Sequence, residues 1–175
     1  IIDFVKNKLK LDKSLYLKYS INLLIVISFV SYPAFVSYQF AANPITAAIA
    51  DSDNNQYVNN WSAGWGVKES VAFFSEKAKI GKIFIATEGT FGLMPETMEM
   101  YLIQNKNVKI KGYWPIENIL PKEALDYAKK MPAFFIFYQP QHMIIPGDFP
   151  LKLIFQVREG NSDYFYRVYQ ILPQK

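Results

Sequence analysis

Hydrophobic positions along this chain fall into two regimes. Between Tyr19 and Ala50 no charged residue occurs, and Ile21 to Phe40 is apolar almost throughout. Beyond Asp51 the apolar residues come in short periodic runs separated by polar turns. The first regime predicts a transmembrane helix over residues 19–42, since twenty helical residues extend about 30 Å, the thickness of a hydrocarbon layer. Asn22, Pro33 and three serines interrupt Ile21 to Phe40; membrane helices tolerate such residues where neighbouring helices satisfy the freed polar groups. A soluble core helix is the plain alternative, but few are this long and uncharged. A cleaved signal peptide is the other, with Ala48-Ile49-Ala50 before Asp51 as a small-x-small site. The apolar segment exceeds the usual ~7–15 residue signal core, and a start at Ile1 rather than Met leads us to expect further chain upstream.

The second regime predicts alternating helices and strands. Val67, Val71, Phe74 and Ala78 fall at helical spacing, giving a helix over about 66–79 that Gly81 ends. Lys82 to Thr87 reads as a strand, and a helix from about Leu93 to Gln104 carries Met94, Met98, Tyr101 and Leu102 on one face. Asn107 to Tyr113 sets Val108, Ile110 and Gly112 against lysines, the pattern of a half-exposed strand. Pro121 opens a helix to Lys130, at a first-turn position where its missing N–H does no harm. Ala133 to Tyr138 reads as a buried strand; Leu151 to Val157 and Tyr164 to Leu172 form a hairpin through Glu159-Gly160-Asn161-Ser162. This order predicts a small α/β domain with a mixed, Rossmann-like sheet: parallel strands with crossover helices, then an antiparallel hairpin at one edge.

Composition and charge refine the picture. Aromatics make up 17% of the chain and hydrophobic residues 51%, and the hydrophobic excess is concentrated in the first regime. The net charge of +4 matters less than its placement, because Lys6, Lys8, Lys10, Lys13 and Lys18 precede the apolar run against only Asp3 and Asp12. Short basic flanks stay cytoplasmic, so topology explains these lysines better than a nucleic-acid patch. The expected layout is a basic cytoplasmic flank at 1–18, a transmembrane helix at 19–42, a linker at 43–62 and an extracytoplasmic α/β domain at 63–175. Tyr57, Trp61 and Trp65 in and beside the linker suit either the lipid headgroup level or the domain core. The chain has no cysteine, so it needs no disulfide.

Candidate chemistry is sparse. One histidine without cysteine argues against a zinc site, and His142, in a loop between Pro140 and Pro146, reads as an ordinary loop residue. No cofactor is expected. The stronger candidate is Thr87-Glu88-Gly89-Thr90-Phe91-Gly92, between a buried strand and a helix. Ligands of open α/β sheets gather at the carboxyl ends of strands, and N–H groups at a helix start receive anions. Gly89 and Gly92 allow close backbone approach, and Glu88 could bond a sugar hydroxyl or act as acid or base. The plain alternative is that Thr90 caps the helix and the glycines make a tight turn. Tyr113 and Trp114 follow the second strand and could line the same crevice, or simply be core. Glu96, Glu99, Glu117, Glu123 and Asp126 read as solvated faces.

Several segments together carry a family resemblance. They are Asn43-Pro44, Asp53, Gln56-Tyr57, Trp61 to Glu69, Ala86-Thr87-Glu88-Gly89-Thr90-Phe91-Gly92-Leu93-Met94-Pro95, Gly112-Tyr113-Trp114-Pro115 and Pro150 to Leu153. They resemble the C-terminal region of bacterial GT-C-type membrane glycosyltransferases, of the dolichyl-phosphate-mannose–protein mannosyltransferase-like group, over most of residues 43–170. The resemblance implies a polytopic enzyme that transfers a sugar from a polyprenyl-phosphate donor to an extracytoplasmic glycan or protein acceptor. It also implies further transmembrane helices and a catalytic carboxylate upstream, so it assigns no catalytic residue here. Glu88, Gly89, Thr90, Gly92, Tyr113 and Trp114 are then the expected substrate-binding residues. A non-enzymatic membrane-anchored binding or sensor domain is the other function class.

The lysine asymmetry makes topology testable. Single cysteines placed at Lys6 and at Ser162 should differ in intact cells: a membrane-impermeant thiol reagent should label position 162 and spare position 6. The reverse labelling would overturn the orientation.

Overall fold

The computed structural model describes residues 13–116, 119–139, 142 and 144–174. Lys6, Lys8, Lys10, Glu117 and Pro140 lie outside them. The chain divides into two compact units, residues 1–50 and 51–175.

The first unit is built on helix α1, Lys13–Ala42, which contains Pro33. From Leu15 to Ala42 it is long and apolar enough to cross a membrane, with a mean hydropathy of 1.8 in its most apolar window and none of that window buried. Two of its interrupting serines, Ser28 and Ser31, turn back on the helix. Ser28 Oγ donates to the Leu24 carbonyl at 2.8 Å, so the hydroxyl needs no partner outside. A 3₁₀ turn, Pro44–Thr46, follows Asn43.

The second unit opens with a short helix α2, Asp51–Tyr57, and a 3₁₀ turn, Trp61–Ala63. The polar composition of this stretch suggested a linker, yet it packs. Val58 is 1% exposed, Trp65 Nε1 donates to the Val58 carbonyl at 2.6 Å, and Trp61 meets Tyr138 edge to face at 5.8 Å. Trp61 and Trp65 therefore belong to the domain's packing, whereas Tyr57 is exposed.

Helix α3, Val67–Ile80, starts and ends at glycines, and buries the predicted Phe74 and Ala78 together with Ser70. Then come strand β1 (Ile83–Glu88), helix α4 (Glu96–Leu102), strand β2 (Val108–Tyr113), helix α5 (Lys122–Ala128) and strand β3 (Ala133–Phe137). Strands β4 (Leu151–Arg158) and β5 (Phe165–Ile171) complete the hairpin. The five strands form one sheet in the order β2-β1-β3-β5-β4. β1 runs parallel to β2 and β3, and β5 antiparallel to β3 and β4. The domain is thus mixed α/β, with the hairpin added at one side. The edge strands expose Lys109, Lys111 and Lys152, which discourages edge-to-edge pairing.

Strand alternation divides the core between the two faces. Ile83, Ile85, Phe134 and Ile136 face α3 and α4 together with Met98 and Leu102. Phe84, Ala86, Phe135 and Phe137 face α5 together with Ala124. β1 and β3 are buried at every position, which is why their sequences read as continuous apolar runs rather than alternating ones. The crossover from β1 to β2 uses one face and that from β2 to β3 the other, so strand order reverses between β1 and β3.

With two apolar faces closed inside residues 51–175, this segment alone should unfold in one cooperative transition followed by circular dichroism in urea. Phe135→Ala, at a fully buried site, should lower its stability by about 3–5 kcal/mol. A non-cooperative melt of a monomeric wild-type segment would contradict the unit boundary.

Candidate functional site

Strand order reverses between β1 and β3, and the carboxyl ends beside such a reversal are where open α/β sheets commonly bind ligands. Glu88 ends β1 there and is 0% exposed. Its Oε2 accepts the backbone N–H groups of Tyr138 at 3.3 Å and Gln139 at 3.1 Å, just past the end of β3. Its Oε1 pairs with Nδ1 of His142. The other ring nitrogen, Nε2, donates to the Ile116 carbonyl at 3.0 Å. Both imidazole nitrogens thus face oxygen atoms of the fold.

His142, read from the sequence as an ordinary loop residue, is therefore the partner of the main site candidate, 54 positions away. One signal for it was available: a lone histidine in the loop after β3, beside a strand that ends in glutamate. Arg167 on β5 extends the network by donating from Nη1 to the His142 carbonyl at 3.2 Å. Glu159, in the hairpin turn, is 1% exposed, and its Oε2 has no hydrogen-bond partner among the described residues. Burial pushes its carboxyl up from 4.5 to about 7, with nearby Arg167 pulling the other way.

The glycines set the height of the loop after β1. Gly89 takes φ +90°, and its N–H donates to the Tyr113 carbonyl at 2.9 Å. Gly112 lies directly beneath, since a Cβ there would sit 2.1 Å from the Gly89 carbonyl oxygen. Only an unsubstituted β2 backbone lets the loop lie this close. The loop then turns outward, with Thr90 and Gly92 exposed, Phe91 79% exposed, and Trp114 at the end of β2 50% exposed. The backbone contact between Gly89 and Tyr113 brings these two strand ends together.

The expected site residues thus separate. Glu88 and Gly89 are buried beneath the surface, while Thr90, Gly92 and Trp114 are presented on it. Tyr113 turns away: its ring stacks against Phe135 at 6.5 Å and its hydroxyl donates to Glu123 at 3.2 Å. Burial, with Glu123 nearby, raises the Tyr113 phenol above its ordinary range. Glu123 is also held by Lys111, whose hydrogen bond lowers its carboxyl below the ordinary range. Thr90 caps nothing. α4 begins six residues later at Glu96, with Pro95 as its N-cap and Glu96 and Glu99 in its first turn. The loop's N–H groups are therefore separate from that helix start. Among the described residues no group of three or more His, Cys, Asp or Glu could hold a metal ion.

The buried Glu159 gives a sign to the pH dependence. Its carboxyl is harder to ionise folded than unfolded, so between pH 4.5 and about 7 the unfolded chain loses this proton first. Stability should fall as pH rises through that window and level off above it. Glu159→Gln should flatten this slope and stabilise the domain at pH 8 by on the order of 1–3 kcal/mol. Urea unfolding at pH 5 and pH 8 measures both, and an unchanged slope would contradict the assignment.

No protein-family model, no curated protein and no solved structure matches this chain.

Proposed function

We propose that this chain is the C-terminal part of a polytopic membrane glycosyltransferase of the GT-C type. In this reading α1 is a transmembrane helix of the cytoplasmic membrane. The Rossmann-like domain after it stands outside the cell and positions substrate for sugar transfer from a polyprenyl-phosphate donor to a glycan or protein acceptor. Catalysis belongs to residues upstream. The lipid bilayer and upstream transmembrane helices are its structural partners; nucleic acid is not one.

One observation carries the substrate-positioning role: a surface rim bearing Phe91, Thr90, Gly92 and Trp114 lies at the carboxyl ends of β1 and β2, next to the buried Glu88–His142 pair. Exposed aromatic rings suit sugars, whose axial C–H groups pack against a ring face. Aromatics left half exposed or more beside a rigid strand end offer such faces without reordering. The apolar surface of α1, uncovered along its length, supports the membrane reading, because a helix apolar all round needs a non-aqueous surround.

Glu88 acts here as a positioning residue. Its two oxygens are engaged by Tyr138, Gln139 and His142, and His142 is engaged at both ring nitrogens. That saturation favours binding over chemistry in this domain. It also keeps in view the second reading, a membrane-anchored module that binds glycans without any transferase.

The test is glycosyl transfer by the full-length enzyme in native membranes, from a polyprenyl-phosphate sugar donor. Trp114→Ala should raise the acceptor KM by about five- to tenfold, worth about 1–1.4 kcal/mol, with kcat nearly unchanged. Glu88→Gln, in an enzyme that remains folded, should shift KM in the same direction through the loop it anchors. The 175-residue chain by itself should transfer nothing. An unchanged KM in folded Trp114→Ala would remove the sugar-platform role. Transfer by the chain alone would overturn the division of labour. Acceptor binding without any transferase activity from the full-length protein would select the second reading.

A further inference from the structure

The opposite end of the sheet carries a second cavity, independent of the Glu88 site. It has a volume of about 660 Å³, inside the range of about 300–1,000 Å³ typical of small-molecule sites. It lies at the amino ends of β1 and β3, between the last turn of α3 and the turn that precedes β3. Its inner wall is apolar, formed by Phe73, Ile83, Phe134 and Ile154. Its mouth carries Lys77, Lys82 and Lys130, and no acidic residue lines it. Lys106 and Lys109 line an adjoining recess of about 250 Å³ that shares Lys82 and Ile83 with the larger one. Nearby acids are already engaged: Glu76 pairs with Lys79, and Asp126 with Lys129.

We infer that this cavity binds a single-chain anionic amphiphile, an alkyl chain ending in a phosphate or carboxylate. The apolar wall takes the chain, and the lysines at the mouth take the headgroup. The carboxyl-terminal end of α3 adds a partial negative charge of about half an elementary unit, which three full positive charges at the mouth outweigh. Lys77 lies 5.4 Å from the centre of the Phe73 ring, so one cation stands at the boundary between the apolar wall and water. Ile80, at the lip, is 85% exposed. An exposed apolar side chain beside a charged mouth suits a ligand whose tail crosses the lip. A purely anionic or purely apolar ligand would leave half of this lining unmatched.

The experiment uses the full chain in nanodiscs of neutral phosphatidylcholine, titrated with monomeric dodecyl phosphate. The reactivity of each lysine toward an acetylating reagent is read by mass spectrometry. Saturable protection of Lys77, Lys82 and Lys130 is expected, with Lys122 and Lys152 unchanged. Lys82→Glu should raise the half-protection concentration by about tenfold. Ile80→Asn, at a site exposed enough to spare the fold, should raise it as well. Trp114→Ala should leave it unchanged, which separates this site from the sugar rim. Equal protection by inorganic phosphate, or by a neutral dodecyl ether, would overturn the proposal. So would protection seen only when the discs contain anionic phosphatidylglycerol, which would make the cavity a membrane-docking face, or protection spread evenly over all lysines.

Discussion

Glu88 keeps an ionisable group out of water at the end of the interior strand β1, and the strand ends around it are held where that group needs them. Burying a carboxylate costs several kcal/mol unless its lone pairs are met. Here two backbone amides beyond β3 and one imidazole meet them. β1 and β3 are neighbours whose following loops leave separately, so nothing in the sheet ladder joins the chain beyond their ends. The carboxylate makes that junction, and Arg167 carries the hold across to β5 through the His142 carbonyl. Loss of any one partner leaves a buried polar group orphaned, so the loops at this end hold together or loosen together.

The two ends of the sheet are built on opposite principles. At the carboxyl end Glu88, His142 and Arg167 partner one another beneath the surface, and aromatic rings face outward. At the amino end the apolar side chains are internal, and lysines face outward. The first is a rigid platform whose chemistry is already consumed by its own fold. The second is an apolar recess with lysines at its mouth. The two ends share no side chain.

Much of the fold was legible in the sequence because burial leaves periodic traces. The 3.6-residue recurrence of Val67, Val71, Phe74 and Ala78 marked α3, and the lysine alternation marked β2 as a half-exposed strand. The unbroken run Ala133–Phe137 marked β3 as covered on both faces. Helix α2 was not legible, because Asp51–Tyr57 carries no buried residue and owes its place to Val58 and Trp65 beyond it. The start of α4 was misplaced because Leu93 and Met94 continue its apolar pattern, although Pro95 fixes the boundary. At the candidate site the strand end and its glycines were readable, while their surroundings were not. The pairing of Glu88 with His142 joins residues that no local period relates. Gly112 read as one more strand position, although the neighbouring loop lies on it.

The position of β5 bears on the order in which the sheet is made. β4 precedes β5 in the chain, yet β5 lies between β3 and β4 in the sheet. β4 therefore has no strand to pair with until residues Phe165–Ile171 have arrived. During synthesis β1, β2 and β3 can assemble as they emerge, but their open side waits for a strand encoded near residue 170. Long-range pairing of this kind is slow and leaves an unpaired edge exposed while it waits. Exposed Lys152 and the irregular register between Leu153 and Phe155 on β4 discourage that waiting strand from becoming a template for another copy of the chain.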